Sequence, residues 1–336
     1  MTVAAAALLA FGLTAAIRPV LTRHAMAKPN HRSSHTVPTP QGGGAAVVVT
    51  TLVVAAIAVA LTNAAGRESI PIVFAATLVI AIAGAADDLR PVPVLPRLTV
   101  HALTVGAVLL AIPDARLVPA CPLWLERGVL LAAGIWFVNL VNFMDGLDWM
   151  TVAETVPVAG ALAALGLAGG LPPAVALTMA ALGGAMIGFA PFNRPVAKLF
   201  LGDVGSLPIG LLLGWALLEM ALSGHLAAAV LLPLYYLADA TVTLMRRALK
   251  REAVWVAHRT HFYQRATDNG FTVTEVIVTV FGLNLVLAVL AAVSVAFPAM
   301  TAQAILLVLG FAAIAAVMTR FGRSRRPAVA VRHRVE

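Results

Sequence analysis

A single cysteine, Cys121, among 336 residues leaves no partner for an intramolecular disulfide and excludes a cysteine-built metal cage. Charge is scarce as well. Asp, Glu, Lys and Arg make up 11% of the chain, too little to cover a soluble globular surface of this size. Acids are scarcer than bases, 15 against 23, which gives a formal net charge of +8. Such a surplus suits a nucleic-acid partner in general, but the placement of the bases argues for no nucleic acid here. What fills the chain is apolar: 61% hydrophobic residues and a mean hydropathy of +0.94. Apolar runs of roughly 20 residues recur, as a membrane helix requires, and the strict alternation of barrel strands is missing. Only helices and closed barrels satisfy the backbone in lipid, so the fold class is all-α, a polytopic transmembrane helix bundle.

Charged and Pro/Gly-rich punctuation divides the chain into eleven expected spans: 2–17, 43–62, 69–86, 98–112, 127–144, 151–169, 173–190, 204–222, 226–244, 273–297 and 303–319. No positive charge precedes the first apolar run, and Arg18, Arg23 and Lys28 follow it, so an uncleaved first helix with its N-terminus outside is expected. Alternating sides from there places 18–42, 87–97, 142–150, 191–203, 245–272 and the C-terminus in the cytoplasm. All the lysines and arginines except Arg67, Arg116 and Arg127 fall in those segments, a strong positive-inside bias. The expected organisation is one integral-membrane domain, 1–319, followed by a basic cytoplasmic tail, 320–336, attracted to anionic membrane lipid.

The same face collects the acids: Asp87, Asp88, Asp145, Asp148, Asp203 and Asp239. Carboxylates gathered on a basic face suit a divalent cation with an anionic ligand. Five stretches carry them or flank them. Residues 28–44 leave and re-enter the membrane, and Gly42–Gly44 permit close backbone contact or an N–H nest for an anion. Asp87-Asp88 repel unless a cation or a proton separates them. Asn139 and Asn142 are three apart, as are Asp145 and Asp148, so on a helix each pair is expected to share a face, and Gly146 lets the backbone turn or come close to a bound group. Asn193 to Ser206 combines Lys198, Phe200 and Asp203 with glycines; Asp203 can ligate a metal, Lys198 face phosphate and Phe200 stack on a base. His258-Arg259-Thr260-His261 can bind a diphosphate. The plain alternatives are a solvated helix exit, an N-cap at Asp203, interface packing at Phe200 and topological anchoring by Arg247, Lys250 and Arg251.

In this order the five stretches resemble the polyprenyl-phosphate N-acetylhexosamine-1-phosphate transferases, the glycosyltransferase family of the bacterial MraY and WecA enzymes. The likeness runs from about residue 28 to 270. It rests on Thr39-Pro40-Gln41-Gly42-Gly43, Asp87-Asp88, Asn139-x-x-Asn142-x-x-Asp145-Gly146-Leu147-Asp148, Asn193 with Phe200-x-Gly202-Asp203-x-Gly205-Ser206, and the histidine segment. The histidine segment looks most like that of members initiating O-antigen, lipopolysaccharide or related surface polysaccharides, and unlike the triple-histidine loop of the peptidoglycan enzyme. The chain departs from the pattern at Trp149, where a glycine usually follows, and at Gln41.

The resemblance implies transfer of N-acetylhexosamine-1-phosphate from a UDP-sugar to undecaprenyl phosphate, with UMP released, at the cytoplasmic face of the bacterial inner membrane. It implies Mg²⁺ (or Mn²⁺ substituting) at Asp203, with Asn142 as second ligand or as support. Phe200 would stack on uracil, while Gly146, Leu147, Asp148 and Asn193 shape the nucleoside pocket and Asn139 and Lys198 contribute to binding. His258, Arg259 and His261 would hold the diphosphate. Asp87 or Asp88 would orient or deprotonate the lipid phosphate, and Asp145 joins the catalytic acids. The alternatives are a peptidoglycan phospho-MurNAc-pentapeptide transferase and, in another class, a cation-coupled transporter, for which Glu154, Glu219 and Glu275 are the deeper acids. The glycines at 183, 184 and 188 allow close helix packing, which leaves the oligomeric state open, a homodimer being one candidate.

Overall fold

The computed structural model describes residues 1–27, 37–112, 116–253 and 258–325. Lys28 and the rest of 28–36, Asp114 and the tail beyond Arg325 lie outside them. The described residues form thirteen helices and one two-stranded ribbon: α1 (Thr2–His24), β1 (Met26–Ala27), β2 (Thr39–Pro40), α2 (Gly44–Thr62), α3 (Ile70–Leu89), α4 (Val94–Leu110), α5 (Leu123–Met144), α6 (Met150–Leu167), α7 (Pro173–Asn193), α8 (Asp203–Leu222), α9 (Leu226–Leu231), α10 (Leu234–Leu249), α11 (Phe262–Asp268), α12 (Val273–Ala296) and α13 (Met300–Gly322). The all-α membrane bundle holds. β1 and β2 pair antiparallel, Met26 opposite Pro40.

Nine of these helices are long and apolar enough to cross a membrane, and α4 is a shorter apolar helix. Ten of the eleven expected spans therefore correspond to one helix each, with α4 beginning four residues earlier than expected. The eleventh, 226–244, is instead broken into α9 and α10 at Leu232–Pro233. Proline has no N–H to donate and its ring crowds the preceding turn, so a continuous apolar run does not give a continuous helix. Proline also marks three starts, standing immediately before α4, α5 and α7 as Pro93, Pro122 and Pro172, while Pro19, Pro157, Pro191 and Pro208 are carried within continuous helices. At α12, Thr272 and Glu275 form a reciprocal capping box.

In lipid, helix association depends on close packing by small residues. Helix α8 is the hub, with 78% of its apolar window buried, against 17% for the outlying α1 and α13. A side chain at Gly210 would meet Val138 of α5 at 3.0 Å, and one at Gly84 of α3 would strike the Asp203 backbone. Gly184 and Gly188 lie against Val3, Ala6, Ala7 and Ala10 of α1, and Gly183 against Ala159 of α6. The close helix packing expected at these glycines is thus made within the chain.

Candidate active site

The C-terminal ends of α1, α3, α5 and α7 and the N-terminal ends of α2, α6, α8 and α12 meet at one end of the bundle. Asp87, Asp88, Asp145 and Asp203 gather there because each lies at a helix end, and Asp148 lies in the turn between α5 and α6. Asp88, at the end of α3, turns its carboxylate onto the start of α8: Oδ1 accepts Asp203 N–H at 2.9 Å and Oδ2 accepts Val204 N–H at 3.0 Å. Two otherwise unpaired helix donors are satisfied by a charge that the helix dipole favours. Asp87 accepts Val92 N–H at 2.6 Å and pairs with Arg97 of α4 at 3.1 Å, and its carboxyl also lies within hydrogen-bonding reach of Asp203.

Asp203 itself is half-buried. Its Oδ1 accepts from Asn142 Nδ2 at 2.7 Å, and the same amide nitrogen reaches Ser206 Oγ at 2.9 Å. Asn142 thus meets Asp203 through its amide nitrogen, a contact compatible with either of its two expected roles. No lysine or arginine among the described residues forms an ion pair with Asp203, whereas Asp87 and Asp88 both act on it as like charges. Asp203 thus offers carboxylate oxygens beside two like charges. Among the described residues no group of three or more His, Cys, Asp or Glu side chains forms a complete metal cage. Mg²⁺ fits that arrangement, since it takes one or two protein carboxylates and fills its octahedron with water and phosphate oxygens.

Asn139 does not join this group. One turn deeper, its Nδ2 donates to Ile135 O at 2.7 Å and contacts His101 Nδ1 of α4 at 3.1 Å. The shared face expected for the two amides does not bring them to one partner: at about 100° per residue, three positions leave them about 60° apart, so Asn142 meets α8 while Asn139 meets α4.

The turn from Asp145 to Trp149 is the centre of the site. Asp145 accepts the Thr151 hydroxyl. Burial pushes its carboxyl up to about 7, with the nearby Asp88 and Asp148 charges adding to the rise and Thr151 opposing it. Gly146 is where Tyr263 and Gln264 of α11 come in; an added Cβ would strike the Tyr263 hydroxyl and lie 2.9 Å from Gln264 Nε2. Tyr263 Oη also donates to Phe143 O at 3.1 Å. The expected close approach at Gly146 is therefore made by the chain's own histidine segment.

Asp148 and Asn193 fasten the loop that leads to Asp203. Asp148 Oδ2 accepts Ala197 N–H at 2.9 Å, Asn193 Nδ2 donates to Leu199 O at 3.0 Å, and Asn193 Oδ1 accepts Trp149 N–H at 2.8 Å. Trp149 has φ 62°, a left-handed conformation costing a non-glycine residue about 1–2 kcal/mol. A glycine takes it freely, which accounts for the usual residue. Here the indole compensates in part by donating to Ala190 O at 2.6 Å.

Across that loop, Phe200 is half-buried and its backbone N–H donates to Pro40 O at 2.9 Å. Gly43 N–H and Gly44 N–H donate to Phe200 O and Leu201 O at 2.9 and 2.8 Å. Of the two uses expected for Gly42–Gly44, the close backbone contact is made; the Gly43 and Gly44 amides are spent on it, so they do not form an anion nest. A cavity of about 570 Å³ opens beside it, lined by Leu147, Asp148, Thr39, Pro40, Arg18 and Lys198 among others. Lys198 is exposed at its rim.

His261 is buried, with Nδ1 3.3 Å from Asp239 Oδ1. Asp239, fully buried, also accepts Phe262 N–H at 2.9 Å and Tyr263 N–H at 3.1 Å, so it anchors α11. His258 stacks on His261 with centroids 4.9 Å apart. Burial pushes His258 down to about 4, helped by the charges of His261 and Arg247. It is neutral near pH 7 and offers hydrogen bonds rather than charge. Arg259 supplies the charge, held by Thr267 at 3.1 Å and Asp268 at 3.6 Å.

Sequence reasoning missed Arg97, Thr151, Tyr263, Gln264 and Arg18. Arg18 and Arg97 left a trace as members of the positive-inside set and Tyr263 and Gln264 as neighbours of the two histidines, but their contacts with distant parts of the chain left none; Thr151, six residues from Asp145, gave no signal as a hydroxyl inside an apolar run.

Residues 70–221 match the family model described as glycosyl transferase family 4. The phospho-N-acetylmuramoyl-pentapeptide-transferase of Heliobacterium modesticaldum is 39% identical over 97 residues, 27% of this chain and 30% of that protein. The protein of the same description from Lactiplantibacillus plantarum is 26% identical over 202 residues, 57% of this chain and 62% of that one. A probable undecaprenyl-phosphate N-acetylglucosaminyl 1-phosphate transferase of Bacillus subtilis is 26% identical over 149 residues, 41% of this chain and 40% of that protein. The chain covers less than two thirds of each of these relatives.

Proposed function

Since the chain belongs to glycosyl transferase family 4 through residues 70–221, we propose that it is a phospho-sugar transferase acting on a polyprenyl phosphate. The donor in this reading is a UDP-N-acetylhexosamine and the acceptor undecaprenyl phosphate. An acceptor phosphate oxygen attacks the β-phosphorus, the bond from that phosphorus to the bridging oxygen breaks, and UMP leaves with the bridging oxygen and its electron pair. The observation that carries the reading is Asp203, set by Asn142 beside Asp87 and Asp88 where the helix ends converge.

Each residue then has a task that its surroundings suit. Asp203, with Asp87 beside it, would hold Mg²⁺ or Mn²⁺, whose charge offsets that of the diphosphate. Arg259 draws the diphosphate by charge, and His258 and His261 add hydrogen bonds. Leu147, Asp148 and Lys198 border the cavity that receives the nucleotide, with Phe200 on the neighbouring strand of loop. Asp88 sets the start of α8, and through it Asp203. Asp87 with Arg97 orients the lipid phosphate. A phosphate monoester with a second pKa near ~6 is already mostly dianionic at neutral pH, so positioning outweighs base catalysis. The polyprenyl chain finds an apolar groove of about 250 Å³ between α4, α5, α8 and α10, floored by Phe137 and Trp215.

Relatives of two donor classes match this chain, so the donor is a matter for assay. The two-histidine segment favours a surface-polysaccharide initiator over a pentapeptide transferase. Purified protein in detergent, given undecaprenyl phosphate and Mg²⁺, is tested for UMP release from a panel of UDP-N-acetylhexosamines and from UDP-N-acetylmuramoyl-pentapeptide. Lipid-dependent, EDTA-sensitive release with one hexosamine is the expected result. Release only with the pentapeptide donor would reassign the substrate. Folded protein inactive with every donor would sink the transferase reading.

A further inference from the structure

Three arginines crowd the end of α13, away from the residues assigned to the reaction. Arg320 lies in its last turn, and Arg323 and Arg325 follow it. Two of them flank Phe271, the buried residue that leads into α12: the guanidinium carbon of Arg325 is 3.6 Å from the ring centroid and that of Arg320 is 5.5 Å. Arg325 is tied down further. Its Nη1 is 2.8 Å from Glu275 Oε1, and its backbone N–H donates to Asn269 O at 2.9 Å.

Phe271 and the three arginines line an open cavity of about 550 Å³ with two unlike walls. At the membrane boundary the wall is Arg320, Arg323 and Ser324; one turn further into the membrane it is Ala315 and Ala316, both exposed. Glu275 is the one carboxylate among the described residues in an ion pair here, and it is taken by Arg325. Arg320 and Arg323 therefore bring two positive charges to the cavity with no acid paired to either among the described residues. The apolar wall belongs to a helix that is among the least buried of the bundle, so it is open to lipid.

Cations at the boundary above a shelf of small apolar side chains complement an amphiphile with an anionic head and hydrocarbon chains. We propose that this cavity binds one anionic phospholipid, its phosphate held by Arg320 and Arg323 and its chains lying over Ala315 and Ala316. The lipid would also brace the histidine segment. Asn269, next after α11, donates from Nδ2 to Phe321 O at 2.7 Å, which joins α11 to the cavity wall.

Native mass spectrometry of the full-length protein released from detergent tests this directly. Phosphatidylglycerol is titrated against zwitterionic phosphatidylcholine of the same chains. Expected is saturable retention of one phosphatidylglycerol, without comparable phosphatidylcholine. Arg320→Gln with Arg323→Gln weakens it about tenfold, as the loss of charge-assisted contacts implies. Arg323→Gln alone, at an exposed position beyond the helix, gives a smaller loss with the fold intact. Lys250→Gln, an exposed base elsewhere at the same end, changes nothing. Equal retention of the two lipids, retention unaffected by both arginine substitutions, or an equal loss in Lys250→Gln would overturn the proposal. Displacement by millimolar inorganic phosphate would do so too, by assigning the cavity to a soluble anion. Binding is read without turnover, so this proposal and the transferase reading fail separately.

Discussion

Asp203 is held by one amide and crowded by two like charges, and that imbalance gives it a measurable signature. Asp203→Asn removes a repelling carboxylate, so the metal-free protein should melt at a higher temperature than the parent. The same substitution should remove the stabilisation that Mg²⁺ gives the parent and lower turnover by about a hundredfold or more, the scale of losing a charge-stabilising group. Thermal melts with and without Mg²⁺ read the first two effects independently of activity. An unchanged Mg²⁺ shift in Asp203→Asn would place the cation elsewhere. Two loop residues carry opposite pH signatures. His258 sits at about 4 when folded against ~6.5 when unfolded, so the unfolded chain binds the extra proton in that window. Stability therefore falls as pH drops through it, and His258→Gln should flatten this loss. Asp145 sits at about 7 when folded against ~3.9 unfolded, so the folded chain holds the extra proton and stability falls as pH rises towards 7. Asp145→Asn should flatten that slope instead. Melting temperatures taken from pH 4.5 to 8 would show both changes, and same-signed changes would contradict the assignments.

At the scale of elements, Asp88 and Gly146 are the joints. Asp88→Asn leaves one of two helix donors at the start of α8 without its acceptor, a cost of about 1–3 kcal/mol. Its melting temperature should fall, in contrast to Asp203→Asn, although the two residues are adjacent in space. Gly146→Ala pushes a methyl group into Tyr263 and Gln264; it should displace α11 and reduce turnover more than it reduces expression. Full activity in Gly146→Ala would show that α11 is free to move without consequence. These joints also mark how far the sequence could be read. Helix ends were legible from charge and proline, and with them the convergence of Asp87, Asp88, Asp145, Asp148 and Asp203. The separate duties of Asp87 and Asp88 were not, because adjacent residues on a helix point about 100° apart and only the packed neighbours decide what each meets. The same holds for Asn139 and Asn142. The break at Pro233 was visible as a residue, but apolarity alone read 226–244 as a single span. Gly43 and Gly44 were recognised as sites of close approach, whereas the partner they approach, Phe200-Leu201, lies more than 150 residues away.

For the whole molecule, Asp87, Asp88, Asp145, Asp148 and Asp203, the histidine segment and most of the described bases lie at one end of the bundle. The α4–α5 connection lies at the other. Helix α4 starts beside Asp87, where Arg97 pairs with it, and runs away from the site, and α5 returns to deliver Asn142. The only cysteine of the chain, Cys121, falls in that connection and is partly exposed. The orientation we propose from the positive-inside distribution turns the site end to the cytoplasm, where a nucleotide sugar is available, and Cys121 to the outside. In right-side-out spheroplasts a membrane-impermeant maleimide should label the unaltered chain without permeabilisation. A Cys121→Ser, Lys250→Cys variant, with its thiol moved to the site end, should label only after the membrane is opened. The reverse pattern would turn the site away from the cytosolic donor, and no arrangement of Asp203 and its neighbours could then sustain the proposed reaction.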